Sequence, residues 1–495
     1  MKKAYIAADL GASGGKMAIG YFENDKIIID DYFNFPNQPV SVNGNLYWDL
    51  FGLYKSILQG ASHYAKENQI VSIGVDTWGA SYGFLDAKGR LLEPIYHYRD
   101  LRTEDSMEHM HQVVSEKDLF HLTGCQPNRS YTLPQLFSYV EHQEPILELA
   151  DKLVFLPDLL EYFLSGDLST ERSIAGTSGM MKPDQDDFSR ETLEKLHIPT
   201  RFLLPLTDAG RIRGKVLPEV AAATGMTDTN VISVPGHDTA SAVVGIPGFG
   251  VNQVYVSMGT NVNMGIELTQ SVTSEKAFQG GFKNAGVLED RKILYKDFAA
   301  FWLANELLRT CKEEGSEYDF VMLMNMAQSC QSKRVFLDVD DVELNNAGGN
   351  AKEKINKYLR ATGQETLSTD AEFARCIFES IALKVKYCVE YLRDVLEIPV
   401  KRVSVVNGGS RNYVVMQMIS DALGMNVYAG MPYATLVGNI LTQMYAMGEF
   451  ASIEEIREKS QASFTMREYT PAAGEKNRWD EDIQKIFQKN IWNQH

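Results

Sequence analysis

Two glycine-containing turns, each set between a pair of predicted strands, constrain the fold of this chain more than any other feature. The first lies in DLGASGGK, residues 9–16, and the second in SMGTNVNMG, residues 257–265. Small residues let a backbone turn approach a ligand closely, and the amides of such a turn can face phosphate oxygens. Because each turn lies in a stretch of mixed strand and helix patterns, we expect two α/β halves of related design with a cleft between them.

Length and charge limit the classes of protein that this chain can belong to. At 495 residues it is long enough for two or three domains. Its net charge of −17 excludes a broad basic surface, so we expect neither nucleic acid nor an anionic membrane as a partner. No apolar run reaches the ~18 residues of a membrane span. Five cysteines without a CxxC pair are typical of a reducing cytosol, and we predict a cytoplasmic protein.

The domain boundaries follow from these patterns. We predict an N-terminal lobe at residues 1–244, a C-terminal lobe at 245–470 and a charged, helical tail at 471–495 that packs on the surface. The glycine- and proline-rich stretch GIPGFG at 245–250 is the natural hinge. The sequence leaves the oligomeric state open, a homodimer included.

One candidate for catalysis lies in VISVPGHDTASAVVG, residues 231–245. A β-branched strand ends at a Pro-Gly break, and His237 and Asp238 then precede a run of small, helix-compatible residues. A carboxylate in that position can accept a proton from a hydroxyl group. The alternative is a helix N-cap without chemistry, and the motif alone leaves both interpretations open. His237 alone is more typical of a structural histidine.

Three further motifs follow predicted strands. Asp9 ends the first strand and could hold magnesium, directly or through water. Trp78 and Gly79, in DTWG, could present a flat apolar face to a sugar, although a core tryptophan is the alternative. Gly408 and Gly409 form a third glycine turn after the strand VSVV. The chain contains no Walker phosphate loop and no zinc-ligand spacing.

Several of these motifs together resemble the FGGY carbohydrate kinases, and within that family the rhamnulokinases most. The stretches that carry the resemblance run from residue 9 to about residue 412: DLGASGGK, GVDTWGASYGFLD, YRDLRT, PDLLEYFLSGDLSTE, GHDTASAV, DAEFARCIFESIAL and NGGSRN. The resemblance implies a duplicated actin/hexokinase-type (ribonuclease H-like) α/β fold with ATP and sugar in the cleft between two lobes. It also implies magnesium-assisted transfer of the ATP γ-phosphoryl group to the 1-hydroxyl of L-rhamnulose.

The resemblance also implies roles for individual residues. It makes Asp238 the catalytic base and assigns sugar contacts to Gly79, His237 and Thr239, with Trp78 beside them. It places the ATP phosphates on two loops and the adenine at a turn; the residues are Ala12, Ser13, Gly14, Gly15 and Lys16 for the first loop, Thr260 for the second, and Gly409 for the turn.

Three departures from the family pattern leave the sugar open. The second phosphate segment reads SMGTNVN where the family has SSGTWSL, and RSYTLPQL replaces the usual NTLYQL form. Asp297 stands where the family has a substrate-contacting Asn, and Asn305 where it has an ATP-contacting Gln. An aspartate can only accept hydrogen bonds where an asparagine also donates. The alternatives are therefore L-fuculose, L-xylulose or a polyol as substrate, and more distantly a non-catalytic ATP-binding scaffold.

Overall fold

The computed structural model describes residues 2–488, 491 and 492, which divide into two compact units. The first unit comprises Met1–Gly250, Leu268–Leu294 and Tyr433–Phe464, and the second comprises Val251–Glu267, Tyr295–Pro432 and Thr465–His495. From the sequence we assigned three segments to the C-terminal lobe that in the structure cluster with the first unit: residues 245–250, 268–294 and 433–464. Each unit therefore combines segments that are distant in sequence.

The strands are short to medium in length and occur throughout the chain. They are β1 (Lys2–Gly11), β2 (Gly14–Glu23), β3 (Lys26–Pro36), β4 (Val40–Val42), β5 (Asn45–Tyr47), β6 (Asn68–Thr77), β7 (Tyr82–Leu85), β8 (Lys152–Phe155), β9 (Thr170–Glu171), β10 (Leu206–Thr207), β11 (Arg211–Lys215), β12 (Asn230–Ser233), β13 (Gln253–Met258), β14 (Asn261–Leu268), β15 (Lys283–Gly286), β16 (Lys292–Ala299), β17 (Arg402–Val406), β18 (Val427–Ala429) and β19 (Arg467–Tyr469).

The helices alternate with these strands. They are α1 (Leu50–Ala65), α2 (Ser106–Val113), α3 (Glu116–Thr123), α4 (Thr132–Glu141), α5 (Ile146–Leu149), α6 (Leu156–Ser165), α7 (Arg172–Gly176), α8 (Arg190–Lys195), α9 (Pro218–Thr224), α10 (Asp238–Gly245), α11 (Glu275–Gln279), α12 (Trp302–Glu313), α13 (Phe320–Ser329), α14 (Val342–Asn345), α15 (Ala351–Ala361), α16 (Asp370–Glu390), α17 (Tyr413–Leu423), α18 (Ala434–Ala446), α19 (Ile453–Ser463) and α20 (Glu475–Gln488). Two 3-10 turns lie at Leu101–Thr103 and Gly408–Arg411, and α16 runs into a π-helical turn at Tyr391–Val395.

The main sheet of the first unit has the strand order β11-β12-β6-β1-β2-β3. Strands β1, β2 and β3 form consecutive antiparallel hairpins, as the sequence predicts, while β6 is parallel to both β1 and β12. The central strand β1 is buried from Ala4 to Ala8 without interruption. A strand covered on both faces requires such a continuous apolar run.

The strands of the second unit repeat this plan. They lie in the order β16-β14-β13-β17-β18-β19. Strands β13 and β14 form an antiparallel hairpin, β17 runs parallel to β13 and to β18, and β19 is an antiparallel edge. The predicted α/β duplication is therefore confirmed at the level of strand order.

Helix α10, which begins at Asp238, packs closely on α18. A Cβ atom on Gly438 would lie 1.7 Å from the Ser241 carbonyl oxygen, and one on Gly245 would lie 2.9 Å from the Gly438 amide nitrogen. The two helices can approach this closely because neither glycine carries a side chain. Helix α10 is thereby held against α18 within the first unit.

The other predictions on the chain as a whole can be compared with the described residues. Within residues 2–488, 491 and 492, no helix combines the length and the apolarity that a membrane span needs. All five cysteines are described, and none forms a disulfide bond. The predicted tail contains α20, which buries Trp479 and Ile486; residues 489–490 and 493–495 of the tail lie outside the described residues.

Candidate active site

Three aspartates come together in the first unit. The parallel pairing of β1 with β6 sets Asp9 directly beside Asp76, near the carboxyl ends of both strands. The Asp9 and Asp76 carboxyl groups are hydrogen-bonded, and both interact electrostatically with Asp238 at the start of α10. Because the ends of parallel strands share one edge of a sheet, residues from distant parts of the sequence converge there.

Asp9 and Asp76 hold protons more strongly than free carboxyl groups do. Burial and the negative charge of Asp238 raise the pKa of Asp9 to about 7, although Lys16 and the hydrogen bond to Asp76 oppose the rise. Burial and the charge of Asp9 also raise the pKa of Asp76, while the Asn439 amide, which donates to Asp76 Oδ2 over 2.6 Å, opposes it. A proton shared between the Asp9 and Asp76 carboxyl groups relieves this repulsion.

Asp238, like Asp9, has a side chain that is partly open to solvent, whereas Asp76 does not. About a third of the Asp238 side chain (32%) is exposed, and Asp76 is fully buried. The Thr239 hydroxyl donates to Asp238 Oδ1 over 3.2 Å, and His237 Nε2 lies 3.5 Å from the same oxygen. The helix-cap interpretation of Asp238 is wrong, since His237 occupies the N-cap position and Asp238 is the first helical residue.

One aromatic residue, Tyr98, lies near Asp238. The side chain of Tyr98 interacts electrostatically with both Asp238 and Arg99, and burial raises its pKa. Its ring contacts Trp48 and His97. Tyr98 is the first residue of YRDLRT, one of the stretches that carry the family resemblance, but the sequence alone indicates no role for it.

Trp78 is part of the core, with 6% of its surface exposed. Its indole packs against Trp48 at an interplanar angle of 38°, with ring centroids 4.0 Å apart, and its Nε1 donates to Ser81 Oγ over 2.8 Å. This contact favours the core-tryptophan alternative over an open face for a sugar. The neighbouring Gly79 lies against Thr177, whose Cβ would be 2.8 Å from a Cβ on the glycine, so a larger residue would not fit.

The first glycine turn is a two-residue hairpin loop, Ala12 and Ser13, between β1 and β2. Gly15 packs under Phe35, whose ring would lie 2.1 Å from a Cβ atom there. Lys16 pairs with Asp9 across the hairpin, and its ammonium nitrogen lies 4.1 Å from the centroid of the Tyr433 ring. The turn thus sets small residues and one cation beside the three aspartates.

In the second unit the structure brings the other two glycine turns together. Thr260 is exposed in the turn between β13 and β14, and its carbonyl accepts from the backbone amides of Ala300 and Trp302. Gly409 packs so closely on Met258 that a Cβ would lie 2.5 Å from its Cγ. A larger residue at position 409 would separate the two turns.

Asp297 and Asn305 are both exposed in the second unit. The amide of Asn263 donates to Asp297 Oδ1 over 2.7 Å, and the Tyr255 hydroxyl donates to Asn263 Oδ1 over the same distance. Two departures from the family pattern, at positions 263 and 297, are therefore in direct contact. Asn305 lies on the first turns of α12, with its backbone amide bonded to Phe301.

A magnesium ion suits the donor set in the first unit. Asp9, Asp76 and Asp238 supply carboxylate oxygens, the ligands that magnesium prefers, in a cluster with more negative than positive charge. In the described part of the chain, no three metal-ligating side chains are arranged to hold an ion by themselves. Magnesium commonly binds through one or two carboxylates and completes its shell with water and substrate phosphates.

Comparison with known proteins matches both parts of the chain to one family. The profile of the FGGY family of carbohydrate kinases, N-terminal domain, matches residues 4–245, and that of the C-terminal domain matches residues 254–447. The chain is 33% identical over 476 residues to a rhamnulokinase of Bacteroides thetaiotaomicron, covering 95% of this chain and 96% of the relative. It is 30% identical over 488 residues to a rhamnulokinase of Ligilactobacillus salivarius, covering 98% and 99%.

Solved structures show the same fold at low sequence identity. A ligand-bound xylulose kinase from Lactobacillus acidophilus is similar with a TM-score of 0.83 at 14% identity, covering 98% of this chain and 97% of that one. Glycerol kinase from Plasmodium falciparum with ADP gives a TM-score of 0.81 at 13% identity, covering 99% of each chain. The expected two-domain α/β fold is confirmed by these similarities.

Proposed function

The chain belongs to the FGGY family of carbohydrate kinases, and we propose that it phosphorylates L-rhamnulose on the 1-hydroxyl group. The observation that carries the choice of sugar is the full-length similarity to relatives described as rhamnulokinases, two of which are 33% and 30% identical. The products are L-rhamnulose 1-phosphate and ADP.

We assign the role of general base to Asp238. A carboxylate whose side chain is partly open can meet a substrate hydroxyl, and the first turn of a packed helix holds it in a fixed direction. As the sugar oxygen attacks the γ-phosphorus, Asp238 takes the hydroxyl proton. The bond from the γ-phosphorus to the bridging oxygen breaks, and ADP leaves with that oxygen.

We assign the phosphates of ATP to the two hairpin turns. Ala12 to Lys16 supply backbone amides and one ammonium group in the first unit, and Thr260 supplies a hydroxyl in the second. We assign the adenine side of the nucleotide to Gly409 and a further ATP contact to Asn305. A magnesium ion held at Asp9 would offset negative charge on the phosphates.

We assign the sugar to residues around Asp238. His237 and Thr239 flank the base and contact its carboxylate, and Gly79 leaves space where a side chain would be excluded. Asp297, held by Asn263, is a further sugar contact from the second unit.

We keep the domain boundaries predicted from the sequence, with lobes at 1–244 and 245–470 and a tail at 471–495. The family profiles, which match residues 4–245 and 254–447, support the boundary between the two lobes.

A substrate panel tests the choice of sugar. ADP release is measured with L-rhamnulose, L-fuculose, L-xylulose and glycerol at equal concentrations. We expect saturable turnover with L-rhamnulose and a kcat/KM at least tenfold lower with each of the others. If L-rhamnulose is inert while another compound saturates, the proposed substrate is wrong although the kinase family stands.

Replacement of the base tests the mechanism. We expect Asp238→Ala to lower turnover by on the order of 10² or more, because a positioned base contributes about that factor. Asp228→Ala is the matched control, since that aspartate side chain is 89% exposed. ATP binding, measured by calorimetry, should survive in both variants. Near-normal turnover of Asp238→Ala would remove Asp238 from the mechanism.

A further inference from the structure

We propose that Glu171 is a positioning residue that fixes the segment Gly236–His237 and so directs Asp238 toward the substrate. The proposal rests on the role of Asp238 given above. Glu171 ends the motif PDLLEYFLSGDLSTE, which no catalytic or binding role has yet explained. It is 1% exposed and lies directly before α7.

The backbone amides just before Asp238 are both tied to Glu171. Gly236 N–H donates to Glu171 Oε2 over 2.9 Å. His237 N–H donates to Ser173 Oγ over 3.3 Å, and the Ser173 hydroxyl in turn donates to Glu171 Oε2 over 2.6 Å. One carboxylate therefore holds two consecutive peptide groups on the path into α10.

The same segment is held from its other side. Thr77 N–H, at the end of β6, donates to the Gly236 carbonyl over 2.9 Å. A Cβ atom on Gly236 would lie 3.0 Å from Pro157 and 3.2 Å from Ile174, so the backbone is enclosed by its neighbours. Because Asp238 directly follows this segment in the chain, fixing Gly236 and His237 on both sides also fixes the backbone of Asp238.

Glu171 accepts more hydrogen bonds than the capping of α7 requires. The cap accounts for two donors, Ser173 N–H and Ile174 N–H, at 2.8 and 3.0 Å. The Ser173 hydroxyl and Gly236 N–H are additional donors, and they lead to the Asp238 segment. An ionised carboxylate offers acceptors alone, whereas an amide would set its own N–H₂ group against one of these donors.

Glu171 is also joined to a buried network of ion pairs centred on Arg213. Glu171 N–H donates to Asp158 over 3.2 Å, and Asp158 is paired with Arg213. Arg213 also binds Glu161 over 2.6 Å, and Glu161 accepts from Val75 N–H over 3.2 Å. Val75 directly precedes Asp76, so one network anchors two of the three segments that carry the aspartate cluster.

The test is the variant Glu171→Gln, assayed with whichever sugar the wild type phosphorylates. We expect kcat to fall by about 10- to 100-fold, since a displacement of about 1 Å at a reacting group can cost that factor, while KM for ATP stays within about twofold. The matched control is Glu379→Gln, another glutamate that is 1% exposed but lies in the second unit. Its kcat should stay within about twofold of wild type.

A double variant separates positioning from a general loss of folding. If Glu171 acts through Asp238, Glu171→Gln should lower turnover little further in an Asp238→Ala background. Equal fold-losses in the two backgrounds would overturn the proposal. Should Glu171→Gln fail to fold, Ser173→Ala replaces it, because it removes the acceptor of His237 N–H and leaves the carboxylate in place; we expect a kcat loss of about three- to tenfold.

Hydrogen exchange gives a readout that needs no sugar. The Gly236 and His237 amides should exchange at least tenfold faster in Glu171→Gln than in wild type or Glu379→Gln. Unchanged exchange would overturn the proposal whatever the substrate is. Inert L-rhamnulose together with faster exchange would contradict the proposed substrate and leave the positioning role supported.

Discussion

Replacing Asp9 by asparagine should stabilise the ligand-free chain and impair its catalysis. Asp9 lies in a cluster with Asp76 and Asp238, and burial together with the charge of Asp238 raises the pKa of Asp9 to about 7. An asparagine has nearly the same shape, carries no charge, and can still donate a hydrogen bond to Asp76. The substitution therefore removes repulsion while it keeps the packing.

The size of the effect follows from the pKa of Asp9. Folding raises this pKa from the ordinary value of 3.8 to about 7. Each pKa unit corresponds to about 1.4 kcal/mol, so the ionised Asp9 costs the folded state up to about 4 kcal/mol at pH 8. At roughly 2 °C per kcal/mol for a large domain, the variant should melt up to about 8 °C higher.

The pH dependence has a definite sign. A carboxyl group with a raised pKa in the folded state favours folding at low pH, and this contribution is lost as the pH rises toward the folded-state value. The stability difference between Asp9→Asn and wild type should therefore be near zero at pH 4, grow between pH 4 and pH 7, and stay constant above pH 7. Differential scanning calorimetry without nucleotide, in phosphate-free buffers, measures it.

A control and an activity assay complete this test. Asp228→Asn removes one negative charge from a side chain that is 89% exposed, and it should change the unfolding free energy by less than about 0.5 kcal/mol. Turnover of Asp9→Asn should fall at least tenfold if Asp9 serves the phosphates. A melting temperature at or below that of wild type at pH 8, or a gain equal at pH 4 and pH 8, would refute the reasoning.

Two further substitutions test the packing around the site. Gly409→Ala should destabilise the second unit by about 1–3 kcal/mol and raise KM for ATP more than KM for the sugar, because its Cβ would lie 2.5 Å from Met258 Cγ; unchanged steady-state constants would contradict this. Arg213→Met should lower stability by about 3–5 kcal/mol at pH 8, since it leaves buried carboxylates without their cation. The loss should be smaller at pH 6, because burial already raises the pKa of Glu161 to about 8 and a protonated Glu161 carries no charge; calorimetry with an equal loss at both pH values would contradict it.

Much of the fold could be predicted because its signals are local. Glycine turns, β-branched strands and helical periodicity each depend on neighbouring residues, and β1 to β3 form as predicted. The assignment of α18 to the first unit could not be predicted in this way. Its residues are apolar on most faces, which indicates burial but not the partner. The partner is specified by Gly245 and Gly438 together, and neither glycine is informative alone.

The candidate site shows the same limit. The sequence indicates Asp9 because a glycine turn follows it, and Asp238 because a Pro-Gly break precedes it. It indicates Trp78 because that residue follows a predicted strand. The sequence could not predict that Trp78 would be covered by Trp48, or that Asn439 would reach Asp76 from α18. Both contacts join residues from separate elements, so they depend on the packing of the whole unit.

The choice of base among three aspartates depends on this packing rather than on the motif. Asp76 is fully buried and bonded to Asn439, and Asp9 and Asp76 hydrogen-bond to each other. A carboxyl group that shares a proton inside the protein is poorly placed to accept one from a substrate. Asp238 has a partly exposed side chain on a rigid helix start, where a substrate hydroxyl can reach its carboxylate. Access to a substrate hydroxyl and a fixed direction, neither of which the motif alone shows, therefore make Asp238 the better base among the three aspartates.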